Sequence, residues 1–281
     1  MTRGVQIAVT GVFFIFAAGC HEPERPPDWG DVKIGDLAEP KGLDRPANQK
    51  LRTANFDVHI FELPAGNAPK LQDLWESLYT RNLRFYNYRA FDENLFRAGF
   101  ARQFGLSGTE ALLKAAGGKR LAKVSMLLPD GQPQDITIIP LDRPQELAYL
   151  DRTLSRQKLI VGPGVLSLRL IAQRLPGERG VCRLVAYPAF SSPPSLPITG
   201  PPGRANQPQL EFKAAGFGLK MSPGDFVVLG PRKYLSETVT LPGLFFSNLK
   251  GTTFLSKGEP PRRKISIRVF VLVCNAINYR D

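Results

Sequence analysis

Histidine is scarce in this chain: His21 and His59 are the only two among 281 residues. No HExxH pair, no paired CxxC and no acidic calcium loop occurs. Zinc sites draw on several His or Cys ligands, so neither a metal centre nor another cofactor is expected. A GxSxG elbow is also missing. A hydrolytic triad would have to use His59, with Asp57 two residues away on the same parity. Triads are defined by geometry, and the simpler expectation places His59 at an exposed alternate position of a strand, with no catalytic residue assigned. Apolar runs of bilayer length are lacking too, since the longest, Val5 to Phe16, covers about a dozen residues against the ~20 of a spanning helix.

That run has other meaning. Arg3 precedes it, Gln6 and Thr10 interrupt it, and Ala17-Ala18-Gly19-Cys20 closes it with small residues and a thiol. A basic start, a short apolar centre and a small-residue exit read as a secretory signal. The exit resembles the lipobox of bacterial lipoproteins, with Ala17 standing where Leu is commonest. The resemblance implies cleavage after Gly19, lipidation of Cys20 and attachment to a membrane through that lipid. Two or three acyl chains, at about 0.8 kcal/mol per buried CH₂, hold far more firmly than one. His21 resembles the outer-membrane default of the enterobacterial sorting rule, which places the protein in the cell envelope facing periplasm or surface. Residues 20–50, with Pro23, Pro26, Pro27, Pro40 and Pro46 among charged residues, read as a semi-extended tether. This layout, a lipobox, a Pro-rich tether and then a β-rich domain, resembles uncharacterised lipoproteins of planctomycete-type bacteria.

Pro (25) and Gly (26) predict many turns and short elements. The net charge of +12 suits a membrane-proximal protein that meets anionic lipid, lipopolysaccharide or peptidoglycan carboxylates. Nucleic acid is not expected as a partner there. With Cys20 lipidated, Cys182 and Cys274 remain as a possible disulfide, closing a ~90-residue loop worth up to about 4–5 kcal/mol. Two buried free thiols are the alternative.

The folded part is expected over residues 51–281, with a possible subdivision at the Pro/Gly/Ser-rich stretch 191–208. Phe56, Val58 and Ile60 alternate with Asp57 and His59 as a half-buried strand. Leu71, Leu74, Trp75 and Leu78 predict a helix opening at Pro69. Ser107 and Glu110 form an S-x-x-E capping box for a second helix, stopped by Gly117-Gly118. Leu147, Leu150 and Leu154 predict a third over 144–155. Strands are read at 96–104, where Phe96, Phe100 and Phe104 also fit a helix face and Gly99 tips the choice, and at 123–128, 135–141, 165–175, 181–187, 210–213, 218–221, 226–229 and, most apolar and central, 265–274. The pair 123–128 and 135–141 reads as a hairpin across Pro129-Asp130-Gly131, and 165–175 with 181–187 as a longer one. The fold class is therefore α+β, a β-dominated mixed or antiparallel sheet with two or three short helices.

The densest binding signal lies between Tyr79 and Phe104, where Arg81, Arg84, Tyr86, Tyr88, Arg89, Arg97 and Arg102 interleave with aromatics. Arginine recognises carboxylate and phosphate bidentately, and tyrosine offers an amphipathic face. The plainer reading is a connection whose aromatics are core. Arg262-Arg263-Lys264 reads as a charged strand entrance. Asp92-Glu93, Glu110, Glu178, Glu211 and Asp225 supply carboxylates without a fixed separation. Ser222 to Val228 resembles, over seven residues only, the PGD-plus-strand entry of polysaccharide export proteins; no function is carried over. The leading expectation is a non-enzymatic, lipid-anchored envelope protein that binds or scaffolds an anionic polymer or a protein partner. A hydrolase of cell-wall or exported glycan and an accessory subunit of an export apparatus are the alternatives.

Overall fold

A computed structural model describes residues 52–192, 209–233, 240–248 and 265–278. The chain divides into Met1–Gln49 and Lys50–Asp281, and every described residue belongs to the second unit. Cys20, the signal and tether, residues 193–208 of the Pro-rich loop and Arg262 to Lys264 lie outside the described residues.

Strand-forming sequence dominates, and it pairs antiparallel into two six-stranded sheets. The first contains β1 (Thr53–Pro64), β3 (Phe96–Ala101), β4 (Lys119–Pro129), β12 (Phe226–Pro231), β13 (Ser247–Asn248) and β14 (Ser266–Asn278). Its order is β3-β12-β14-β1-β4, with β13 against β14. The second contains β2 (Arg84–Phe85), β5 (Pro133–Leu141), β8 (Gly164–Arg174), β9 (Cys182–Ser191), β10 (Gln209–Glu211) and β11 (Phe217–Met221), ordered β2-β11-β9-β8-β5 with β10 against β9. β6 (Gln145–Leu150) and β7 (Arg156–Val161) form a separate hairpin. Strands from both sides of the 191–208 stretch share both sheets.

Alternation decides the layering. In β1, Phe56 and Val58 enter the core shared with Leu166, Leu168 and Leu184 of the second sheet, whereas Phe61 and Leu63 point the other way. Both faces of the first sheet's central strands are thus buried, and β14 is apolar without a break from Val269 to Cys274, as a doubly covered strand should be, whereas the edge strand β4 is largely exposed. The sheet's outer cover is a helical layer: a 3₁₀ turn (Ala65–Leu71) running into α1 (Gln72–Glu76), and α3 (Leu106–Ala115). Gly99 is required beneath α1, because a Cβ there would stand 2.6 Å from that of Leu78. Two further helices, α2 (Tyr88–Glu93) and α4 (Leu241–Phe246), supply Phe91, Phe245 and Phe246 to the shared core. No helix among the described residues is long and apolar enough to cross a membrane.

Several expectations are corrected. Residues 144–155 form no helix but the β6–β7 hairpin, with Leu147 opposite Leu159. Leucines three and four apart suit either element, but Asp151 Oδ1 accepts the N–H groups of Thr153 (2.8 Å) and Ser155 (3.0 Å), a local turn that outcompetes helix. Pro129-Asp130-Gly131 does not join a hairpin, because β4 pairs with β1 in one sheet and β5 with β8 in the other. It is a corner: Asp130 N–H donates to Arg52 O (3.0 Å), just before β1, and Gly131 N–H to Ala172 O of β8 (2.8 Å). The Ser107–Glu110 box does not form either, since α3 starts at Leu106 without a side-chain cap. Its stop is as read: Gly117 (φ +82°) and Gly118 donate to Lys114 O and Leu113 O, a Schellman end.

Candidate functional site

Glu110, free of capping duty, reaches across to β1. His59 is buried, not exposed, with Nδ1 3.2 Å from Glu110 Oε1; Arg120 Nη1 lies 3.7 Å from the same oxygen. Asp57, also buried, accepts from Ser125 Oγ (2.6 Å) and pairs with Lys123 (2.7 Å). Burial alone would raise its carboxyl, but hydrogen bonds from Lys123, Ser125 and Asn275 hold it down to about 2. These groups serve the seat of α3 and the β1–β4 pairing. Among the described residues no cluster of three metal-ligating side chains occurs.

The other face of the molecule differs. Alternation that sends Cys182 and Leu184, Leu219 and Met221 into the core turns Arg183 and Lys220 outward, and the β9–β11 register sets those two cations directly opposite each other. Like charges in that position repel. Gly218 lies opposite Arg84 of β2, and Arg81 and Asn82 continue the rim. Together with Leu175 and Leu219 they line a hollow of about 340 Å³. Lys220 is neutralised by Glu178 from the β8–β9 loop. Arg81, Arg84 and Arg183 make no ion pair among the described residues. A carboxylate or phosphate would meet three guanidinium forks here, the donor set that suits such anions.

A second hollow of about 260 Å³ takes part of its lining from the same connecting segment, with Thr80, Phe85, Tyr88, Phe91, Asp92, Phe96, Arg97, Ala98 and Arg232 around it. Its aromatics pack edge to face or tilted, Phe85 lying 5.2 Å from Tyr88 and 4.7 Å from Phe91. Arg97 stacks 5.1 Å from the Trp75 ring. Burial, and then the charge of Arg232, lower its proton affinity. Asp92 is tied to Arg232. The segment lining both hollows is anchored by two asparagines. Asn87 caps α2 by accepting from Ala90 N–H (3.0 Å) and donates to Arg152 O (2.8 Å). Buried Asn94 donates to Leu150 O (2.8 Å) and accepts from Leu150 N–H (2.9 Å), fastening α2 to β6.

This chain matches no protein-family model and no curated protein. Solved structures it distantly resembles are secretins. The type IV competence pilus secretin PilQ of V. cholerae shares 11% identity at a TM-score of 0.25, over 84% of this chain and 63% of that one. The type II secretin GspD of enteropathogenic Escherichia coli shares 12% at 0.25, over 83% and 70%. The secretin XcpQ of Pseudomonas aeruginosa shares 10% at 0.23, over 81% and 57%. Scores this low establish no shared architecture and lend nothing to a functional reading.

Of the seven residues singled out in 79–104, Arg81 and Arg84 line the basic hollow, Tyr88 and Arg97 the aromatic one. Tyr86 and Arg89 line neither, being engaged locally with Arg152 (5.2 Å from the Tyr86 ring) and Glu93 (2.7 Å). Arg102 follows the far end of β3 and lines neither. Phe91, Phe96 and Phe100 are core, as the plainer reading had it, whereas Phe104 is 97% exposed. Arg183, Lys220 and Arg232 were missed. The first two are outward polar positions on otherwise apolar strands, a visible signal, but their juxtaposition depends on the β9–β11 register. The candidate carboxylates are scattered in separate duties: Glu178 on Lys220, Asp92 on Arg232, Glu110 on His59 and Glu211 among Arg169, Tyr187 and Lys213. Asp225 closes a turn onto Ser222 N–H. No two of them line the same hollow.

Proposed function

We propose that this chain is a non-enzymatic, lipid-anchored envelope protein whose folded unit binds an acidic glycan. The observation that carries the reading is the set of three arginines, without ion pairs among the described residues, around one hollow. The aromatic hollow lined in part by the same segment adds a place for a sugar ring, which aromatic faces and tyrosine hydroxyls suit. A polymer alternating carboxylates with rings would use both. Attachment through Cys20 would hold the arginines near a surface rich in such polymers.

Co-sedimentation of the full chain, as Cys20→Ser, with purified peptidoglycan sacculi tests the binding. Retention at about 50 mM salt and release at about 500 mM are expected, because partly exposed ion pairs are screened over a Debye length. No retention at low salt overturns the reading. The anchor is tested separately by the mass of the N-terminal peptide: an acylated Cys20 is expected, and a free thiol or a start elsewhere removes that half of the proposal.

A further inference from the structure

Cys182 opens β9 in the second sheet, and Cys274 lies in β14 of the first. Both are fully buried in the cluster between the sheets as free thiols, near enough for each to perturb the other's ionisation. The two sheets are tied to each other at this end of the molecule. The Asp130–Gly131 corner holds one hydrogen bond to each side. Ala54, Leu128 and Ile277 from the first sheet and Ala172 and Arg174 from the second share with Cys182 the lining of a hollow of only about 20 Å³. Backbone on both sides is fixed. Cys274 N–H donates to Asp225 O (2.9 Å) and its carbonyl accepts from Gly224 (2.7 Å), while Cys182 is paired opposite Arg174 and Met221.

We propose that Cys182 and Cys274 are a covalent modification site, closing to an inter-sheet disulfide when the chain is exported. The proposal rests, for its compartment, on the export reading above, since oxidising compartments are where such bridges persist. The donor is a disulfide-bearing thiol oxidoreductase. One cysteine thiolate attacks a donor sulfur, breaking the donor S–S bond, forming a mixed disulfide and releasing one donor thiolate. The second cysteine thiolate then attacks the first cysteine's sulfur, forming the Cys182–Cys274 bond and expelling the other donor thiolate. Two electrons pass to the donor, which takes up the two protons and ends as a dithiol. Complete burial shields the pair once folded, so exchange takes place before the sheets close.

The test uses the full chain as Cys20→Ser, which leaves only these two thiols, unfolded in urea under reducing conditions and then refolded into a buffer of reduced and oxidised glutathione. The expected product has lost two hydrogens in mass, resists alkylation in denaturant until reduced, yields a Cys182–Cys274 cross-linked peptide and unfolds at a higher urea midpoint. In Cys182→Ala/Cys274→Ala the midpoint no longer responds to oxidant. Alkylation of both cysteines in denaturant after oxidation, or a glutathione adduct on each, overturns the pair. A parallel arm traps cells producing the chain with its own leader in acid and alkylates them. A chain that bridges in glutathione but is fully reduced in cells overturns the exported state and leaves the pairing geometry standing. A chain that bridges in neither overturns the pairing itself.

Discussion

Both sheets carry ionisable side chains on the face turned away from their shared core, and both match the ones they bury, Arg169 of β8 meeting Asp135 (2.6 Å) and Glu211 (3.1 Å); they differ in what the second leaves open. On the first sheet, Asp57 and His59 lie buried, and each has a partner: Lys123 and Ser125 for one, Glu110 of α3 for the other. On the second, Arg81, Arg84 and Arg183 surround an open hollow without an ion pair among the described residues. A buried charge left alone costs several kcal/mol, so covering a sheet with helices demands that every polar group beneath be matched. The open hollow is under no such demand. Unmatched charge there is tolerated by solvent and remains available to a ligand.

Removing a core side chain from the helical layer is the strongest way to break that contrast. Leu113→Ala in α3, at a fully buried position, is expected to cost about 2–5 kcal/mol in urea unfolding while glycan binding survives wherever the chain is folded. A loss below about 1 kcal/mol would show that the layer is not a stabilising cover. The opposite pattern is expected of Arg81→Ala/Arg183→Ala. Stability should stay within about 0.5 kcal/mol, and retention on sacculi at low salt should fall at least about tenfold, near 1.4 kcal/mol. Undiminished retention would place the ligand elsewhere.

Asp57 sharpens the covered side. Its carboxyl is held near 2 in the folded chain against 3.8 unfolded, so the folded chain gains stability above about pH 4 and loses it as pH falls toward 2. Asp57→Asn should therefore cost about 1–2 kcal/mol at neutral pH, a discounted figure because Lys123 is half exposed, and flatten the acid limb of a urea-midpoint profile. An unchanged acid limb would refute the assignment. Smallest is Glu178→Ala, which releases Lys220 into the basic hollow. Retention on sacculi should rise by about twofold, with stability within about 0.5 kcal/mol. A fall in retention would mean that Glu178 itself contacts the ligand.

Much of the architecture is written in local pattern. The apolar run from Ile265 announces the strand that stands at the centre of the first sheet, and Gly117-Gly118 announces the end of α3. The β8–β9 hairpin follows from its two strands and the turn between them. Local pattern misleads where two elements share a spacing. Leu147, Leu150 and Leu154 fit helix and hairpin alike until Asp151 takes up the backbone N–H groups of Thr153 and Ser155. It is silent where partners lie far apart in sequence. Pro-Asp-Gly between two strands looks the same whether the strands pair with each other or part into different sheets. For the candidate site, Arg81 and Arg84 were legible as cations among aromatics. Arg183 and Lys220 were not, because only a register spanning dozens of residues brings them opposite each other.

The place of β14 in its sheet has a consequence for the order of events in folding. It sits between β12 and β1, pairing Thr53 with Asn278 at one end and Phe226 with Val273 on the other side. Without it, the first sheet is two separate pairs, β3 with β12 and β1 with β4. Every other described strand precedes β14 along the chain, so emergence of the polypeptide reaches the keystone last. Loop closure of this length is slow, and the contact order it imposes is high. Until residues 266–278 arrive, Phe56, Val58 and the aromatics of α4 lack the neighbours Phe270 and Leu272 that complete their packing. The first sheet therefore cannot be completed until residues 266–278 are made, which leaves apolar surface open to handling by chaperones.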